Sequence, residues 1–267
     1  RETGLSRILA GAEGQAQGKI VTAFDPRHDA DHVSLRQHLR GNSSVICCNQ
    51  DLSVFSGVPE LVERKPIMLD ISHDPDTSAT YHLLSDSLAA ASMATRHLLD
   101  CGHTRICYMG AAPMPAKPGV FPVAYPGYPQ HKGYWVAMHE AGYMQTQSLG
   151  FYSRPTDEET VGFLAQYLGE TRGDYTAIVC DMDYHAVQLY HAARALGIAI
   201  PDELSVVGLG NTPWCTALSP MLTSVSLEVD TLARLALSLC GTTLPEYPVQ
   251  LRVAPRLIAR NSVRTRS

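Results

Sequence analysis

A chain of 267 residues is long enough for one large domain or two medium ones with real cores. Hydrophobic residues at 45% and charged residues at 18% are ordinary for a globular α/β protein. The formal net charge of −5 argues against this chain wrapping nucleic acid with a broad basic face, though not against a DNA-binding domain outside it.

No run of about 18 apolar residues occurs, so no membrane-spanning helix is expected. The opening RETGLSRILAGAEG is amphipathic and charged and does not read as a signal peptide. The seven cysteines are odd in number and form no C-x-x-C pair. Cys47, Cys48, Cys107 and Cys180 sit in apolar stretches, so buried reduced thiols are expected rather than a disulfide framework or a zinc site.

In chain order, residues 2–17 read as a helix with Leu5, Ile8, Leu9 and Ala12 on one face. Lys19 to Phe24 is a strand, Asp29 to Leu39 a helix and Ser44 to Cys48 a strand. A short helix around Val54 to Glu63 leads to the strand Pro66 to Asp70. This alternation is the pattern of a parallel sheet covered by helices.

Residues 81–110 carry the clearest unit: a strand end, a helix, a turn and a second strand. Ser85 or Asp86 supplies a short side-chain oxygen for the helix start. Leu88, Ala91, Thr95, Leu98 and Leu99 repeat at helical spacing, and Gly102 suits the left-handed cap. Ile106 to Gly110 is apolar throughout, as a strand buried on both faces is. His103 reads as a packing or capping residue at this turn, because no second metal ligand stands at a suitable spacing.

The stretch 111–130 is dense in proline, which forbids regular helix or interior strand. It reads as a long loop. Its Phe121, Tyr125 and Tyr128 either cover a cleft or ride on a surface excursion. Gly133 to Gly142 is a helix. Thr156 opens another, with Asp157, Glu158 and Glu159 complementing the dipole in its first turn. Tyr175 to Cys180 is a strand, Tyr184 to Leu196 a helix closed by Gly197, and Leu204 to Val207 a strand. Leu222 to Val225 is a strand, Val229 to Cys240 a helix, and 248–260 extended.

Several of these stretches together resemble the LacI/GalR family of bacterial transcription regulators. They are Asp86-Ser87 with Thr95-Arg96-His97-Leu98, Gly102-His103-Thr104-Arg105-Ile106 and Gly110; GYWVAMHEAG at 133–142; and TAIVCDMDYHAVQLYHAARALGIAIPDELSVVGLGN at 176–211. SPMLTSV at 219–225 and PRLIARNS at 255–262 complete the set. Each is weak alone, but they follow in order over nearly the whole chain. Gly210-Asn211-Thr212-Pro213 looks like the trehalose-repressor branch of that family.

The resemblance implies an α/β fold of two doubly wound parallel-sheet subdomains, of periplasmic-binding-protein type I architecture, with a ligand cleft between them. It implies an N-subdomain of 1–84 plus 227–246 and a C-subdomain of 85–226 plus 247–267. The helix-turn-helix headpiece of the family is absent from these residues.

Ligands of open α/β sheets bind beyond the carboxyl ends of strands, and the resemblance points to seven positions. Asp70 ends a strand, where a carboxylate accepts sugar hydroxyls or caps the next turn. Gln130 stands where the family has an arginine, and glutamine cannot fork onto an anion with charge. His131 and Lys132 lie beside it but point elsewhere on a helix. Met182 replaces an asparagine. Asp183 matches the family's aspartate, and either contacts ligand or caps the following helix. Asp181 lies two residues away, so the two carboxylates form a possible pair. Gly210-Asn211 replaces an aspartate pair, leaving Asn211 as the polar candidate. Asp157 and Leu227 fall near two further contact positions.

The leading expectation is the effector-binding and dimerisation region of such a regulator. It would be cytoplasmic and homodimeric, and would act on operator DNA through a headpiece outside this chain. Its effector would be a small metabolite, a sugar or sugar derivative. The alternative is a periplasmic-type solute-binding protein of the same fold. No phosphate-binding glycine loop, nucleophile elbow or metal cluster appears, so neither an enzyme nor a cofactor is expected.

Overall fold

The computed structural model describes residues 36, 37, 39, 40, 44–48, 58–63, 66–70, 81–111, 124–151, 157–242 and 247–266. In chain order the elements are β1 (Ile46–Cys48), α1 (Pro59–Glu63), β2 (Ile67–Asp70), β3 (Tyr81–Ser85), α2 (Ser87–Asp100) and β4 (Ile106–Ala111). They continue as α3 (Pro129–Glu140), β5 (Gln147–Phe151), α4 (Asp157–Glu170), β6 (Ala177–Cys180), α5 (Asp183–Ala195) and β7 (Ser205–Leu209). The last are α6 (Trp214–Ala217), β8 (Thr223–Ser226), α7 (Val229–Leu239), β9 (Val249–Val253) and β10 (Arg256–Ile258). The helix expected over 2–17 and the strand over 19–24 lie outside the described residues, as does most of the helix expected over 29–39.

The chain divides into two compact units, 1–86 with 228–254 and 87–227 with 255–267. In the first, β1, β2, β3 and β9 form a parallel sheet in that order. Met68, Leu69 and Leu83 are buried, too apolar a set for a sheet with a wet face. Met68 packs with Leu39, Cys47, Val58 and Leu61. Helix α7 buries Leu232, Ala233 and Ala236 at helical spacing.

The sequence-based division placed everything from 247 onward in the C-subdomain. Strand β9 instead pairs with β3, from Tyr81↔Val249 to Ser85↔Val253, so it belongs to the first unit. The chain changes unit at Ala254–Pro255, and a proline cannot extend a ladder by its own N–H.

The second unit holds a six-stranded sheet in the order β10-β8-β7-β6-β4-β5. Its pairs are parallel except β10 with β8, where the extended tail folds back antiparallel along the edge. Its core joins Met109, Leu149, Ile178 and Val206 with Leu164 of α4 and Leu189 of α5.

Helices α2 and α3 pack closely because Gly133 has no side chain. A Cβ there would run into the carbonyl oxygen of Leu88. Tyr134 beside it donates its hydroxyl proton to the Ile106 carbonyl at 2.8 Å, tying α3 to β4.

Helix α2 ends as its sequence predicts. Gly102 takes φ +83°. Its N–H bonds to Leu99 O at 2.9 Å, and the His103 N–H bonds to Leu98 O at 3.0 Å. This is the paired closure in which glycine avoids the left-handed penalty.

The tail then laces the amino-terminal ends of the strands. Ser262 Oγ accepts from the Thr223 N–H at 2.8 Å and donates to Val206 O at 2.6 Å. His103 Nε2 meets Arg264 O, and its Nδ1 meets Thr176 Oγ1, each at 2.9 Å. His103 is therefore a buried packing residue, and burial holds its pKa below the ordinary value against the opposing pull of the Arg264 carbonyl.

Candidate functional site

In parallel sheets the carboxyl ends of the strands form one rim. In the first unit Asp70 closes β2 on that edge.

In the second unit the rim carries Asp181 and Met182 after β6, Gly210 and Asn211 after β7, and Leu227 after β8. Helix α5 starts at this rim with Met182 in the cap position, which offers no side-chain cap bond. A thioether cannot do what asparagine does there. Met182 is 52% exposed, so its side chain is presented to solvent.

Asp183 is 1% exposed. It does not cap its own helix. Oδ1 accepts from Ser224 Oγ at 2.6 Å, and Oδ2 accepts from the Thr212 N–H at 2.7 Å. The carboxylate therefore fastens the turn after β7 to β8. Burial raises its pKa, and the Ser224 and Thr212 bonds work against that rise. Burial, helped by this same carboxylate, pushes the Cys215 thiol up to about 12.

Asn211 is held in the same arrangement. Its φ of 50° lies in the left-handed region, which asparagine tolerates better than most residues. Its Oδ1 accepts from Arg260 Nη2 at 2.7 Å, and its N–H donates to Ser224 Oγ at 3.0 Å.

Asp181 and Asp183 do not form a carboxylate pair. Asp181 Oδ1 bonds His185 Nδ1 at 2.6 Å, while Asp183 turns to Ser224 and Thr212. Asp157, exposed at the start of α4, accepts from the Tyr184 hydroxyl and from Gln188 Nε2, the latter at 3.1 Å. Asp157, Met182, Asp183 and Asn211 thus gather around the start of α5.

Gln130 is half-buried in the first turn of α3. Its neighbour His131 is buried edge-on against Tyr108, ring centres 5.1 Å apart, and Lys132 is exposed. Neither is an obvious stand-in for the missing arginine. Tyr125 and Tyr128 are exposed and meet edge to face at 5.2 Å, whereas Phe121 lies outside the described residues.

Sequence reasoning missed His185, Ser224 and Arg260. The first was visible as a histidine four residues after Asp181, one helical turn on. The other two required knowing which strand lies beside which.

Among the described residues no cluster of His, Cys, Asp and Glu fit to hold a metal is present, and no helix is long and apolar enough to cross a membrane. Cys107, Cys180 and Cys215 are buried free thiols, and Cys47 is buried.

Two α/β units with their candidate groups on strand-end rims define a protein of the periplasmic-binding-protein class. Residues 95–263 match the periplasmic binding protein-like domain. The chain is 25% identical over 242 residues to the HTH-type transcriptional regulator GalR of Escherichia coli K12, covering 89% of this chain and 67% of GalR. It is 26% identical over 213 residues to the HTH-type transcriptional regulator DegA of Bacillus subtilis, covering 78% of this chain and 59% of DegA. Its fold matches a LacI family transcriptional regulator from Enterococcus faecium solved with bound ribose, at TM-score 0.74 and 19% identity, over 99% of this chain and 95% of that one. The chain belongs to the periplasmic binding protein-like domain family, and within it to the LacI/GalR group.

Proposed function

We propose that these residues are the effector-binding and dimerisation region of a LacI/GalR-type transcription regulator. The effector is a sugar or sugar derivative bound at the strand-end rims. The observation that carries this reading is the agreement between fold and relatives: a periplasmic-binding-protein fold aligning with GalR and DegA and matching a regulator that holds ribose. The ligand acts by binding one conformational state better than another. A headpiece outside these residues reads operator DNA, and a homodimer matches the two-fold symmetry of paired half-sites. The setting is cytoplasmic, and the reading includes no catalytic step.

The rim chemistry favours a neutral ligand. Gln130 and Met182 carry no charge, and Gly210 supplies no acid. Asp70 remains as an acceptor for hydroxyls.

The test is a thermal-shift screen against neutral sugars, sugar phosphates and nucleobases, with calorimetry on each hit. A ligand at 100 times its Kd stabilises by about 2.7 kcal/mol. A neutral sugar hit that Asp70→Ala abolishes supports the reading. A screen in which only nucleobases bind, or none of the three classes, overturns it. Sedimentation separates the regulator from a solute-binding protein, since a dimer is expected only of the former.

A further inference from the structure

The second unit has a cavity on the edge opposite the rim. Arg105 precedes β4, Tyr175 and Thr176 precede β6, and Leu204 precedes β7, and all four line it. It therefore sits at the amino-terminal ends of the strands. Its volume of about 330 Å³ falls within the roughly 300–1,000 Å³ range of small-molecule sites.

The lining divides into an apolar floor and a charged mouth. Leu168, Tyr175, Ile198 and Leu204 are buried and supply the floor, the exposed Arg105 and Arg172 stand at the mouth, and Arg266 is half-buried beside them. The carboxylates of Asp202 and Glu203 are there too, but they are engaged. Glu203 accepts from Arg172 at 2.8 Å and from the Ala199 N–H at 3.1 Å. Asp202 accepts from Arg264 at 3.1 Å.

Four guanidinium groups therefore meet two carboxylates, an excess of positive charge on a chain of net charge −5. The cations are also under-used. Arg266 Nε is buried with no hydrogen-bond partner among the described residues, and Nη2 reaches backbone carbonyls only at 3.2 and 3.5 Å. Arg105 donates to one backbone carbonyl, Gly173 O. Guanidinium groups left in this state suit an oxyanion that accepts in a fork.

We infer that this cavity is a second binding site, for a small organic anion with an apolar body. The carboxylate, sulfonate or phosphate of the ligand meets the Arg105, Arg172 and Arg266 guanidiniums while its body covers the floor. The site is distinct from the strand-end rim, so it stands or falls separately from the effector reading.

The test is a fluorescence titration with anilinonaphthalene sulfonate, an anion with an aromatic body. The wild-type chain binds it saturably at one site, and affinity falls as salt rises. Arg105→Met and Arg172→Met each weaken binding about tenfold, as loss of a hydrogen bond to a charged group does. Both arginines are exposed, so their melting temperatures stay near wild type and show that the fold survives. Arg234→Met, which removes a charge from α7 in the other unit, leaves binding unchanged. Uncharged anilinonaphthalene binds at least about tenfold more weakly. Non-saturating binding, wild-type affinity in the two cavity variants, or a similar loss in Arg234→Met overturns the inference.

Discussion

Asp183 and Ser224 meet across 41 positions of chain, the serine hydroxyl donating to Oδ1 at 2.6 Å in a buried setting. With its other oxygen Asp183 holds the Thr212 N–H, and Gly208 lies so near that a Cβ there would run into Oδ1. The aspartate that the sequence offered as a ligand contact or helix cap is thus a strut of the rim. It fixes the backbone of Gly210 to Thr212, on which the presentation of Asn211 depends.

Replacing Asp183 by alanine strands the Thr212 N–H and the Ser224 hydroxyl. Each buried group left unpaired costs about 1–3 kcal/mol, so Asp183→Ala should be the more damaging change. Ser224→Ala should cost about 1 kcal/mol. Because the two side chains share one bond, their effects should fail to add by at least about 0.5 kcal/mol. Urea melts of both single variants and the double variant measure this, and strict additivity would contradict the strut.

His103 makes stability depend on pH. Burial lowers the pKa of His97, His103 and His131. In the neutral His103 ring Nε2–H donates to Arg264 O and Nδ1 accepts from the Thr176 hydroxyl. The folded state then binds fewer protons than the unfolded chain below pH 6.5, the ordinary histidine value. Stability is fully present above that pH and is lost as pH falls through the window beneath it. His103→Phe should be less stable at pH 7.5 yet lose less between about pH 6.5 and 5. Thermal melts across that range decide it, and an unchanged slope would rule His103 out.

At Gly133 two effects compete. Alanine is the better helix former by about 1 kcal/mol. Against that, its Cβ would meet the backbone carbonyl of Leu88, which cannot move without shifting α2. Overpacking costs about 1–3 kcal/mol, and the clash should win. Gly133→Ala is therefore expected to lower the melting temperature, whereas alanine at Gly162, where a Cβ meets nothing within 4 Å, should raise it slightly.

The elements most legible in the sequence were those whose signals are local. Gly102 and Gly197 both end helices at positive φ, and the apolar runs at 106–110 and 177–180 became buried strands. The partner of 249–253 was not legible, because pairing with β3 depends on contacts across more than 160 residues. The site shows the same limit. The spacing of Asp181 and Asp183 invited a shared role, yet one lies beside His185 and the other beside Ser224. That Asp183 finds Ser224 depends on the strand order β8-β7-β6, and nothing local encodes that order. Much of the shared signature proved architectural: Gly102, His103 and Ser262 all hold the tail or take part in its lacing.

The pair Gly210-Asn211 separates a change of side chain from a change of backbone. Gly210 has φ +124°, a conformation costing an ordinary residue about 1–3 kcal/mol. A Cβ there would also lie 3.2 Å from Asp183 Oδ2, so a new carboxylate would start beside an existing one. Gly210→Asp should therefore destabilise the chain and should add no sugar affinity, although it places an acid where the resemblance implies one. Asn211→Asp is the opposite case. Aspartate accepts the left-handed region as asparagine does, and its charge would face the Arg260 guanidinium that already donates to Oδ1 at 2.7 Å. That variant should melt at or above the wild-type temperature, by at most about 1 kcal/mol of added stability. Scanning calorimetry on the two single variants checks both signs, and a Gly210→Asp chain as stable as wild type would show that the backbone, not the residue, gives way.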